Sequence, residues 1–249
     1  MMALAALLLA LLERVPATRF RPARLLRPHL ATDVVYLLTG YLAGGWLARS
    51  YVTTATGWLA RWTGLTQHVW PTVPFWAQVA VALVAIDLGN YGVHLALHRW
   101  NPLWEFHKAH HSSRHLDWMA TFRSHAVEQL LRRLLAPLLL IAAGAPAPAV
   151  GVAAGIFFAW AMLNHANVRL PLGRLEAVLI TPRLHRVHHV PATTERNLGT
   201  VFTCWDQLRG TLVVAAPPLE AALGLPLERE TYPQAWGHQL VAPWTRRRG

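Results

Sequence analysis

The stretch VPFWAQVAVALVAIDLGNYGVHLALH, residues Val73 to His98, decides how this chain is read. Asp87 is its one formally charged residue, and most of the rest is apolar or small. As a helix rising ~1.5 Å per residue it reaches about 39 Å, against a hydrocarbon core of ~30 Å. Its last turns therefore stand clear of the acyl chains, and those turns carry His94 and His98. A membrane helix is expected to run on into water and deliver two imidazoles at its exposed end.

Three further apolar segments flank it: residues 33–51, 126–143 and 150–168. The last two are joined by Gly144-Ala145-Pro146-Ala147-Pro148, an uncharged turn that predicts a helical hairpin. The first is joined to Val73–His98 by a loop bearing Trp58, Trp62, Trp70 and Trp76, which predicts an interfacial aromatic belt. Ala3 to Leu12 are apolar but too few to span, and they lack both a charged n-region and a small-residue cleavage site. An interfacial helix is expected there rather than a signal peptide.

Composition agrees with this layout. Hydrophobic residues make up 54% of the 249 and charged residues 14%, yet the formal net charge is +11. So high an apolar share with basic flanks fits a membrane protein better than a nucleic-acid binder. Arginine placement sets the orientation. Arg14, Arg19, Arg21, Arg24 and Arg27 precede the first segment, and Arg99, Lys108, Arg114 and Arg123 lie between the hairpins. The loop at residues 53–72 carries only Arg61. Positive residues stay inside, so both hairpins open to the cytoplasm and both termini lie there.

The fourteen histidines carry the chemistry. His94 and His98 are spaced i, i+4, so both project from one helix face. His107-Lys-Ala-His110-His111 and His185-Arg-Val-His188-His189 repeat one pattern, in which the adjacent pair diverges and can serve two different ions. His125 and His165 stand singly, the latter at the cytoplasmic end of the fourth segment. A lone histidine on an apolar helix is ordinarily a satisfied packing residue. Ten on one side of a membrane gain little unless cations organise them. One ion takes four to six ligands, so the set implies two, and imidazole suits iron, zinc or copper. The lone Cys204 excludes a disulfide and a thiolate site. Carboxylates are too scarce for the Glu and Glu-x-x-His pattern of soluble di-iron bundles. A pair of redox metals at the membrane boundary suits activation of dioxygen against an unreactive C–H bond of a molecule entering from the bilayer. His29, His68, His115 and His238 are read as interfacial or solvated.

At these residues the chain resembles the fatty acid hydroxylase / sterol desaturase superfamily, from about Val81 to Thr211. The resemblance rests on Asp87, Tyr91, His94–Arg99, Leu103–Ser113, Arg123–Glu128, Asn164–Asn167, Thr181–His189, Asn197–Thr200 and Trp205–Thr211. It implies an all-α integral-membrane bundle of about four spans in two hairpins, with a cytoplasmic histidine-rich cap. It further implies two iron ions, with zinc only as an artefactual substitute, and O2-dependent hydroxylation or desaturation of a fatty acyl lipid, sterol or related isoprenoid. The ligand role falls on His94, His98, His107, His110, His111, His165, His185, His188 and His189. His125, where Ala126 replaces the usual proline, joins them as a tenth ligand or a close neighbour. Asp87, Asn90 and Tyr91 precede His94 by seven, four and three residues and are expected to orient ligands, as is Glu128, which otherwise pairs with Arg132. Trp205, Asp206 and Gly210 are read as a turn that docks the later chain under the cap.

The organisation expected is an N-terminal part at 1–72, a catalytic domain at 73–215 and a cytoplasmic tail at 216–249. No cysteine set or haem module is evident, so a separate donor of ferredoxin or cytochrome b5 type, with its reductase, must supply electrons. The arginine excess suggests a bacterial inner membrane. The rival class is a histidine-rich metal binder or transporter, which would hold its ligands near the bilayer midplane rather than at span ends.

Overall fold

The computed structural model describes residues 2–22, 26–43, 50–51, 53–55, 57–58, 61–62, 68–170, 172–214 and 222–245. Among these the chain is helical, apart from an isolated antiparallel bridge between Leu179 and Phe202. The principal helices are α1 (Met2–Leu12), α2 (Leu30–Tyr36), α3 (Phe75–Arg99), α4 (Asn101–His111), α5 (Ala126–Leu135), α6 (Leu138–Ala142), α7 (Ala147–His165), α8 (Pro182–His188), α9 (Cys204–Leu208) and α10 (Trp236–Thr245).

Of the four expected spans, two are met by length and composition: α3 and α7. The third segment is divided into α5 and α6 at Ala136-Pro137, because a proline in mid-helix removes a donor and collides with the preceding turn. The first begins at Asp33, which is fully buried and paired with Arg27 at 2.6 Å and Arg123 at 2.5 Å. After α2 the backbone takes π-helical turns over Leu37–Ala43, and residues 44–49 of the expected span lie outside the described residues. The aromatic loop is split too. Trp58, Trp62 and Trp76 are exposed, whereas Trp70 is buried and donates to the Ala143 carbonyl at 2.8 Å, closing the turn between α6 and α7 onto the start of α3.

α3 and α7 pair closely around small residues, Ala82 and Ala153, with Leu140 and Ala145. α3 also passes tightly over the α5–α6 junction at Gly89, where a Cβ would stand 2.1 Å from the Ala136 carbonyl oxygen. Gly89→Ala is expected to cost about 1–3 kcal/mol by forcing the helices apart. Gly92→Ala, with nothing within 4 Å, should be neutral in the same thermal unfolding measurement.

The second half of α3 is covered further than its apolarity suggests. Asp87, Asn90, Tyr91 and His94 are buried at helical spacing beneath the chain that follows α8, while Leu97 packs against Ala136 and Leu131. Trp100, in an extended conformation, ends α3, and α4 starts at once with Pro102 in its first turn, where proline is well tolerated. That sharp bend folds α4 back so that its histidines meet those of α3. The described part of 222–245 is not a free tail. Leu225, Tyr232 and Ala242 form a core with Trp104, and Gln239 bonds Ser112 Oγ and Tyr36 OH.

Candidate metal centre

Nine histidines converge in two adjacent groups whose ligand atoms lie within 4.8 Å of one another inside each group. One holds His94, His98, His107, His111 and His188; the other holds His110, His165, His185 and His189. Both His-x-x-His-His motifs are divided between the groups, since adjacent residues on a helix point about 100° apart. His107 and His111 face one group and His110 the other; His188 faces the first, and His185 and His189 the second. The groups abut where His111 stacks on His189, with ring centroids 4.7 Å apart.

Local structure aims these rings. α8 starts at a Thr181 cap whose hydroxyl accepts from Leu184 N, with Pro182 in the first turn. Its two remaining turns then present three histidines. His94 Nδ1 faces the Leu198 carbonyl at 2.8 Å, His110 Nδ1 that of Arg123 at 3.0 Å, His165 Nδ1 that of Ala161 at 2.8 Å and His188 Nδ1 that of Arg196 at 3.0 Å. A carbonyl only accepts, so each Nδ1 carries the proton and donates. Each Nε2 therefore presents a lone pair. His107 is set likewise by Glu128 Oε1, 3.0 Å from its Nδ1; the approach is off-axis, yet that nitrogen has no better-aligned partner.

The consequence is a packing of lone pairs against lone pairs. His94 and His107 oppose their Nε2 atoms at 3.2 Å, as do His110 and His165. His98 Nε2, His188 Nε2 and both nitrogens of His111 are buried without a hydrogen-bond partner among the described residues. Such an arrangement is repulsive and desolvated by itself. It becomes favourable with a cation between the rings, since two nitrogens ~2.1 Å from one ion and at right angles are ~3.0 Å apart. The residues present fit a pair of nitrogen-ligated metal ions.

Burial also fixes the acid behaviour. Desolvation holds His107, His110, His111, His185 and His189 well below the ordinary imidazole range, and takes His188 to about 3. An unfolded histidine protonates near 6.5, so below that pH the unfolded chain binds more protons than the folded one. The metal-free protein is therefore expected to lose stability steadily as pH falls from about 6.5 towards 3. Thermal unfolding across that range checks this, and a flat profile would contradict it.

His125 stands outside both groups. Its Nδ1 accepts from Val127 N at the start of α5, and its Nε2 donates to the Leu240 carbonyl at 3.0 Å. Neither nitrogen is left for a metal. His29 begins α2 with a positive φ of 66°, and His68 and His238 are exposed. His115 is half-buried away from the groups.

The four expected supporting residues divide. Glu128 does both things open to it, contacting His107 and accepting from Arg132 Nε at 2.9 Å. Asp87 instead accepts from Val201 N, Phe202 N and Trp205 Nε1. Asn90 donates to Thr200 Oγ1 and accepts from Arg132, and Tyr91 OH donates to the Trp205 carbonyl. These three hold the 198–206 loop, whose Leu198 carbonyl in turn orients His94. Asp206 tightens that loop from within, accepting from Leu198 N, Gly199 N and Thr211 Oγ1. Glu128→Gln is expected to weaken iron affinity about 10–100-fold, the usual effect of losing a ligand's orienting partner. Iron titration of the purified variant measures it.

Sequence reasoning passed over Trp104 and Asn197. Trp104 roofs the first group, its ring 5.1 Å from His98 and 5.2 Å from His111. Asn197 sits at a left-handed φ of 52° and ties α8 to the chain beyond α9, donating to the Leu184 and Val213 carbonyls. The available signal was the residue type, since Asn is among the few non-glycine residues that adopt this conformation readily.

The profile of the fatty acid hydroxylase family matches residues 79–211. The chain is similar to the ornithine lipid hydroxylase OlsE of Rhizobium tropici, 35% identical over 161 residues, which cover 64% of this chain and 49% of that protein. It is similar to the alkylglycerol monooxygenase of Danio rerio, 30% identical over 134 residues, covering 53% and 29%. The human alkylglycerol monooxygenase is 27% identical over 167 residues, covering 66% and 37%. The chain thus spans about half or less of the length of these relatives. No solved structure matches it.

Proposed function

Because the chain belongs to the fatty acid hydroxylase family, we propose that it is a membrane-bound di-iron enzyme that uses O2 and external electrons to hydroxylate a C–H bond of a lipid. The observation that carries this reading is the pair of adjacent, buried imidazole groups, five of whose nine rings have an Nδ1 facing an acceptor and so turn Nε2 to the interior. Their nine histidines would hold the two irons, five around one and four around the other. Iron bound there supplies the dioxygen reduction that attack on an alkyl C–H bond requires.

The residues of this chain provide the rest. The Leu198, Arg123, Ala161 and Arg196 carbonyls and Glu128 would hold His94, His110, His165, His188 and His107 with Nε2 towards the metals. Trp104 and the C-terminal helix exclude water from the first group. α3 and α7, apolar on their outer faces, would sit in the bilayer with His94, His98 and His165 at their ends. Substrate would reach the centre along them, with the termini and the metal site on the cytoplasmic side of a bacterial inner membrane. Electrons would come from a separate ferredoxin or cytochrome b5 type donor. The names of the relatives favour hydroxylation over desaturation, and a polar acyl or ether lipid as substrate. A transporter fits less well, since the groups are enclosed by packed side chains at helix ends and not strung along a path across the bilayer.

The test is turnover with isotopically labelled O2 by the purified, iron-loaded protein in lipid vesicles with a reducing donor. The expected result is one labelled oxygen atom in the lipid product. A protein that binds only zinc and consumes no O2 would overturn the proposal.

A further inference from the structure

Outside the histidine groups, a cleft of about 230 Å³ is lined by Glu13, Arg21, Arg27, His115, Asp117 and Arg186, with apolar neighbours. Its acids are already engaged. Glu13 Oε1 accepts from Trp118 N and Asn167 N, each at 2.9 Å, and burial pushes its carboxyl up to about 7. Asp117 binds Arg27 and accepts from Met119 N.

Arg186 is different. It is 7% exposed on α8, its Nη2 reaches the Leu116 carbonyl only at 3.5 Å, and its Nε is buried with no hydrogen-bond partner among the described residues. Its guanidinium lies 4.6 Å over the Phe20 ring, which Arg169 approaches at 5.8 Å. Burial, and then the nearby Arg21, lower its pKa to about 10, so it stays charged at neutral pH. A buried guanidinium beside a second arginine, near Glu13 but with no carboxylate hydrogen-bonded to it among the described residues, is completed by an anion that accepts from its fork.

The position of the cleft says what bears that anion. α1 ends at Leu12, and the next residue, Glu13, is in the cleft wall. Leu9 anchors α1 against Met162 and Ala166, while Leu4, Leu7, Leu8 and Leu11 point outward and exposed. An apolar helix surface thus runs directly into a basic cleft, the sequence of environments met by a lipid from chain to headgroup.

We propose that this cleft binds the phosphate or carboxylate of a lipid headgroup whose acyl chains lie along α1, with Arg186 as the principal contact and Arg21 as the second. The assignment rests on the membrane-bound reading above. It makes the cleft a headgroup site carried on the same short helix as His185 and His188.

The experiment uses iron-loaded full-length protein in an uncharged detergent, titrated calorimetrically with dioctanoylphosphatidylglycerol, dioctanoylphosphatidylcholine and inorganic phosphate. The anionic lipid should bind tightest, and Arg186→Gln should weaken it at least about tenfold with iron content unchanged. Should that variant misfold, Arg21→Gln, at a residue held through its backbone by Asn167, must weaken binding in the same direction. Wild-type affinity in the variants, or equal binding of the neutral lipid, would overturn the site. Phosphate binding as tightly as the lipid would make it a free-anion site and overturn the lipid assignment. Release of the protein from membranes by carbonate, with Arg186-dependent lipid binding intact, would count against the membrane-spanning reading alone.

Discussion

His111→Ala is expected to lower both bound iron and lipid oxidation by more than about 100-fold, beyond the range typical of losing an orienting partner. His111 is fully buried at the seam of the two groups, with rings of His98, His107, His188 and His189 all within 5.0 Å centroid to centroid. Neither of its nitrogens has a hydrogen-bond partner among the described residues, which is the state expected of a buried ring that serves as a metal ligand. Removing it opens one group and loosens the stacking that holds the other. His125→Asn is the matched control. It keeps an N-cap for α5 but gives up the bond to the Leu240 carbonyl, so it should cost about 1–3 kcal/mol of stability while keeping its iron. Metal analysis of both proteins separates the outcomes. Equal iron loss in the two would mean that the ring placements are wrong.

The second large effect is on the fold. Asp87→Ala is expected to destabilise the protein by about 3–5 kcal/mol, because it strands buried donors on Val201, Phe202 and Trp205 at about 1–3 kcal/mol each. The loop freed in this way carries the Leu198 carbonyl that fixes the His94 tautomer, so iron affinity should fall along with the melting temperature. Asp87→Asn keeps one acceptor and should fall between. Thermal unfolding with metal analysis on the same samples reads both. A variant that melts lower yet binds iron as wild type would break the proposed link between loop and ligand.

The histidine spacings made the centre legible because helical geometry is local: His-x-x-His-His can only divide its adjacent pair. The same logic could not place His125. Whether a ring after Ser124 caps a helix or turns to a metal depends on Leu240, more than a hundred residues away. Asp87, Asn90 and Tyr91 were recognisable as buried polar residues on the His94 face, but their partners lie in a loop that no periodicity predicts. The spans were the least legible. Apolar length alone could not show that Pro137 divides one segment, nor that Asp33 is drawn into a cluster with Arg27 and Arg123. The residues at 222–245 read as a tail because they lack a strong pattern, yet Gln239 and Leu240 close the cap through side-chain and carbonyl contacts.

The central claim is that two adjacent, all-histidine groups hold two irons. Its most direct test is the metal content of the protein purified after growth with ample iron, together with its Mössbauer spectrum. Two irons per chain in nitrogen-rich sites, coupled to one another, are the expected result. One metal per chain, or iron held in a site that survives the loss of His111 and His188 together, would contradict it.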